Sequence, residues 1–161
     1  MKYIKEKLFW HARDTSKDVV CVFWDEKEEY YSFVKRELDS GCHQISITSE
    51  IMLKIISTFL QSGSWIIDKI EMMEDDDDLS FSLDKLIESC RRNPRIILSL
   101  IEYLRSIIED SSIEIKRIYL SERDENGTLK SVFIQVNGII GIYNGIDEIN
   151  SMLCTIMREY I

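Results

Sequence analysis

The stretch Asp25–Leu38, DEKEEYYSFVKREL, admits two secondary structures, and the choice between them sets the fold. As a helix, Asp25 and Glu28 stand at capping-box spacing and acids fill the first turn. Lys35 and Arg36 would lie in the last turn, with Gly41 as the stop. As a hairpin, DEKEE becomes the turn, and Tyr31, Phe33 and Lys35 alternate with Tyr30, Ser32 and Val34. Local signals favour the helix, whereas comparison with the C-terminal half favours the hairpin.

In that half, Ile113–Glu122 reads as a strand, and the turn Arg123–Gly127 contains an Asn-Gly step, the strongest short hairpin signal. Leu129–Val136 is a second strand. Asn137–Gly138 turns the chain into a third, Ile139–Tyr143, which leads into an amphipathic helix. A slide of 97 residues (138 − 41) brings Gly41 onto Gly138. It also lays Met52, Ile55, Ile56, Phe59 and Leu60 over Ile149, Met152, Leu153, Ile156 and Met157. The chain thus reads as two copies of a hairpin–strand–helix unit, provided that residues 29–38 form a strand.

Outward from there, Lys2–Arg13 reads as a strand, followed by a turn at Asp14–Lys17. VVCVFW, residues 19–24, is apolar and rich in β-branched and aromatic residues, as suits a central strand. Between the halves, Trp65–Met72 reads as a strand and Glu74–Asp78 as a solvated loop. Ser80 or Ser82 caps a helix carrying Leu83, Leu86, Ile87 and Cys90. Asn93–Pro94 ends that helix and starts the next, because Pro94 at a first helical position gives up no needed hydrogen bond. From there to Glu109, Ile97, Leu100, Ile101, Leu104 and Ile108 keep the 3.6-residue period, so this helix is expected to be the most deeply packed. The expected fold is α+β: one domain over residues 1–161, with an antiparallel sheet of six or seven strands and helices gathered on one side. Its internal halves, 1–63 and 113–161, would be joined by a helical segment at 80–110.

Composition narrows the function. With 45% hydrophobic and 30% charged residues, the chain is that of a folded globular protein. The net charge of −9 argues against a general grip on nucleic acid and suits a basic protein partner. The N-terminus lacks the long apolar region of a signal peptide, and no uncharged run approaches the ~20 residues that span a bilayer. A cytoplasmic location with reduced thiols is therefore expected. Cys21, Cys42, Cys90 and Cys154 show no CxxC spacing, and only His11 and His43 could join them. Neither a zinc site nor thioredoxin-like chemistry follows. Cys42 and His43 are adjacent, so on a strand they point to opposite faces and cannot form a dyad. A pairing of His11 with Asp14 is no better supported, and only proximity of Cys42 to His11 stays open. Phosphate loops, GxSxG and HExxH are absent. No catalytic residue, metal ligand or cofactor is expected.

Two candidate surfaces remain. The acid run Glu74, Asp75, Asp76, Asp77 and Asp78 is a possible docking patch for a basic partner. The other set could contact an anion or nucleic acid: Arg91, Arg92 and Arg95 around a helix start, with Tyr31, Phe33 and Lys35 on an aromatic sheet face. The leading expectation is a non-enzymatic protein-binding module, such as a small acidic inhibitor, immunity-type or accessory protein. The alternative is a single-stranded nucleic-acid binder. Homo-oligomerisation stays open.

Overall fold

A computed structural model describes residues 1–13 and 16–161. The described residues form seven strands and five α-helices. In chain order these are β1 (Ile4–Arg13), β2 (Ser16–Phe23), α1 (Tyr30–Asp39), β3 (Cys42–Gln44), α2 (Ser49–Gln61) and β4 (Trp65–Met72). Then come α3 (Asp77–Arg92), a 3-10 turn (Pro94–Ile96), α4 (Ile97–Ser111), β5 (Ile115–Arg123), β6 (Leu129–Gln135), β7 (Ile139–Tyr143) and α5 (Ile146–Met157). All strands pair antiparallel in the order β2-β1-β7-β6-β5-β4, with β3 beside the far half of β1. The expected α+β class and antiparallel sheet are what the chain adopts. The turn expected at Asp14–Lys17 falls partly on residues 14 and 15, outside the described residues, as does any pairing of His11 with Asp14.

The stretch that decides the fold is a helix. Asp25 closes a turn by accepting from the Lys27 N–H at 3.0 Å. Glu29 then caps α1, its carboxylate accepting from the backbone N–H groups of Tyr31 and Ser32. Gly41, at φ +101°, ends the segment in a conformation that disfavours other residues. The hairpin expected here is therefore wrong, and the two-copy arrangement loses its premise. Shifted by 97 residues, β5 falls on β2 and the strand-to-helix step β7–α5 on β3–α2, but β6 falls on α1, so the second strand of the hairpin has no counterpart.

Alternation along β1 explains where α1 goes. Leu8 joins the main core, while Phe9 points to the opposite face and packs with Phe33, Val34 and Cys42. Helices α2, α3, α4 and α5 cover the Leu8 face, and α1 covers the other face at the β1–β2 end. The expectation of all helices on one side thus holds for four of the five. The aromatics of the N-terminal third build this second, small core: Trp24 stacks on Phe33 at 6.2 Å and meets Tyr30 edge-on at 5.5 Å.

The most deeply packed helix is α2, not α4. Eight of its residues, from Ser49 to Leu60, are buried, against Leu100, Leu104 and Ile107 in α4. Contacts with β4, β5, α4 and α5 place α2 at the centre of the helical layer. The helix before α4 also starts earlier than expected. Asp76, not Ser80 or Ser82, is its cap, accepting from the Leu79 N–H at 3.1 Å. Asn93 caps the next turn as anticipated, and Pro94 occupies its first position.

Candidate functional site

The acid run Glu74–Asp78 is exposed along its whole length. Part of it is explained by local structure, since Asp76 caps α3 while Asp77 and Asp78 lie in its first turn, where carboxylates offset the helix dipole. The surroundings are not explained that way. β4 and β5 meet here through the Met72–Ile115 pair, and the Met73 N–H donates to the Glu114 carbonyl at 2.8 Å. The last turn of α4 carries Glu109 and Asp110 with no basic residue beside them, and it leads through Ser112 to the same place. Acids at a helix C-terminus oppose the dipole, so helix stability does not account for these two.

Two hollows flank this meeting point. One, of about 410 Å³, is lined by Glu71, Glu74, Asp75 and Asp84, with Lys69 and Lys116. The other, of about 540 Å³, is lined by Ser112, Ile113, Glu114, Thr48 and Val136. Met73 and Glu74 line both. Met73 is 57% exposed, so a flexible apolar side chain stands among carboxylates contributed by Glu71 of β4, the loop residues Glu74 and Asp75, Asp84 of α3 and Glu114 just before β5. Below it the structure is held firmly. Ser49 at the start of α2 donates to the Glu114 carboxylate and accepts from the Ile115 N–H at 2.9 Å.

The second candidate set does not come together. Arg91 reaches the bulged edge strand β4, donating to the Asp68 carbonyl at 3.2 Å and to its carboxylate at 3.3 Å. Arg92 pairs with Glu88 one turn back at 2.6 Å. Arg95 lies in the 3-10 turn, its N–H held by the Asn93 cap. Phe33 is fully buried, Tyr31 is 77% exposed, and both lie with Lys35 on α1, not on a strand. The aromatic sheet face expected from these residues is therefore not built by them.

A different one exists. Because α1 covers only the β1–β2 end, the far face of β4–β7 is open, and it carries Tyr3, Arg117, Tyr119 and Phe133. Tyr3 meets Phe133 edge-on at 5.0 Å, and Tyr119 lies 6.0 Å from the same ring. Arg117 sits 5.1 Å from the Phe133 centroid and donates to the Tyr119 hydroxyl at 2.8 Å and to the Gln135 side chain. Beside this cluster is a hollow of about 690 Å³ over the cross-strand pair Ser121 and Ser131, rimmed by Tyr3, Ile66 and Lys69. The alternation Arg117-Tyr119-Ser121-Arg123 against Ile118 and Leu120 is the sequence signal for this face. The sequence reading did not take it up.

Cys42 is 8% exposed within the Phe9–Phe33 cluster, while His43 stacks on Trp10 at 4.0 Å on the opposite face of the short strand. The two do not form a dyad. His11 is the cross-strand partner of Cys42 in the β1–β3 register. Among the described residues no group of three or more His, Cys, Asp or Glu side chains is placed to hold a metal ion, and no helix is long and apolar enough to cross a membrane. No protein family, curated protein or solved structure matches the chain.

Proposed function

We propose that the chain is a non-enzymatic protein-binding module, a small acidic inhibitor or accessory protein, whose acidic end receives a basic segment of a partner. The observation that carries this reading is the convergence of Glu71, Glu74, Asp75, Asp84 and Glu114 on the two hollows that flank the exposed side chain of Met73. An apolar anchor inside a charged rim suits a protein surface, since the anchor supplies burial and the charges steer encounter. The test is affinity purification from a native extract with the wild-type chain and with a Glu74, Asp75, Asp77 and Asp78 to Ser variant. Asp76 is kept in that variant to preserve the cap. A stoichiometric partner held by the wild type, released by salt and absent from the variant, is expected. Equal retention by both chains removes the acidic end from the interface.

A second reading is favoured by the open sheet face. Tyr3, Tyr119 and Arg117 offer partly exposed rings and a cation to unpaired bases. A gel shift with mixed-sequence single strands at low salt separates the two readings, because only this one expects a salt-sensitive shift that Tyr119→Ala weakens.

A further inference from the structure

On the helical face of the sheet, α5 meets β1 and β2 through a stripe of polar side chains one turn apart: Asn150, Cys154 and Arg158. Each has a strand partner. Asn150 donates to Glu6 at 3.2 Å, Arg158 pairs with Asp18 at 3.6 Å, and Cys154 faces Cys21 with 3.8 Å between the sulfurs. We propose that Cys21 and Cys154 form a redox modification site, a dithiol that a low-molecular-weight disulfide converts into an intramolecular cross-link between β2 and α5.

Three observations carry this. The sulfurs must approach only from 3.8 Å to about 2.0 Å to bond, and the Arg158–Asp18 pair already ties α5 to β2 while Asn150–Glu6 ties it to β1. Both thiols are half-buried at the rim of the core, whereas Cys42 and Cys90 are buried. The pair is also asymmetric. The contact with Cys21 and the nearby guanidinium of Arg158 lower the Cys154 thiol despite burial and the charges of Asp18 and Glu6. The Cys21 thiol is raised by the same contact and by burial. Cys154 is therefore the attacking sulfur.

The chemistry balances in two displacements. The Cys154 thiolate attacks one sulfur of the external disulfide, forming a mixed disulfide and releasing one thiolate. Cys21 then loses its proton and attacks the Cys154 sulfur, expelling the second thiolate. The two protein thiols give up two electrons and two protons, and the external disulfide becomes two thiols. No third ligand joins the pair among the described residues, so a metal site is not the competing explanation.

The test uses the full chain, incubated under native conditions with oxidised glutathione, then denatured and alkylated. Two of the four cysteines are expected to resist alkylation, peptide mapping should join Cys21 to Cys154, and dithiothreitol should restore all four. In the Cys21→Ser variant the reaction should stop at the mixed disulfide, with one glutathione on Cys154. Four alkylated cysteines in the oxidised wild type overturn the proposal, as does a cross-link between other cysteines or between two chains.

Discussion

The ring of Phe133 fills the space that a side chain at Gly141, its cross-strand partner, would need: a Cβ there would fall 2.0 Å from Phe133 Cε1. The glycine lets the aromatic lie across the open sheet face, where it supports Tyr3, Tyr119 and Arg117. Gly141→Ala should force Phe133 aside and destabilise the chain by about 1–3 kcal/mol. Urea unfolding measures this. In a Phe133→Ala background the same change should be far milder, and an equal penalty in both backgrounds would break the link between the two residues.

Ser49 tests the joint beneath the acidic end. Its hydroxyl serves both the Glu114 carboxylate and the buried Ile115 N–H, and the residue is 3% exposed. Ser49→Ala should lower stability by about 1–3 kcal/mol, because a buried donor is left without a partner. Ser49→Thr, which keeps the hydroxyl, should recover part of the loss in the same denaturation series.

The acid run separates into residues that hold the helix and residues that do not. Asp76→Ala should destabilise by about 1 kcal/mol through loss of the α3 cap. Asp75→Ala should stay within about 0.5 kcal/mol, as an ordinary surface change does. Thermal unfolding of the two variants side by side decides this, and equal effects would argue against the cap.

Lys7 gives a pH signature. It is 1% exposed, donates to the Asn137 carbonyl and lies 5.6 Å from the Phe9 ring and 5.8 Å from the Tyr30 ring. Burial lowers its ammonium to about 8, against ~10.4 for a lysine in an unfolded chain. Below pH 8 both states carry the proton, and the burial penalty is present in full. Between pH 8 and ~10.4 the unfolded chain binds more protons than the folded one, so stability rises with pH across that window. The rise is at most on the order of 3 kcal/mol. Unfolding curves of the wild type and of Lys7→Met over this range should diverge in slope, and parallel curves would refute the assignment.

Much of the fold is legible in the chain. The Asn126–Gly127 hairpin, the Asn137–Gly138 turn and the Asn93–Pro94 helix break stand where the turn and capping residues put them, because these are decided by neighbours within four positions. The reading of Glu29–Leu38 as a strand failed for the opposite reason. It set a distant analogy above the local helix signals, of which Arg36 in the last turn and Gly41 as the stop describe the helix that forms, while its cap is Glu29 and not the Asp25–Glu28 box. The depth of α2 was missed because both α2 and α4 have wide apolar stripes, and periodicity does not say which helix lies at the centre of a layer.

The two surfaces divide the same way. The sequence alone determined the exposed acid run and the strand periodicity that sets Arg117 and Tyr119 opposite Ile118 and Leu120. Tertiary structure decided that Glu71, Asp84 and Glu114 join that run around Met73, that α1 leaves the β4–β7 face open, and that Cys21 meets Cys154 across 133 residues. Local order follows from the backbone conformations that neighbouring side chains favour. Which charges, rings or thiols share a face depends on how helices far apart in the chain divide the two sides of one sheet, and that division is settled only when their apolar stripes pack together.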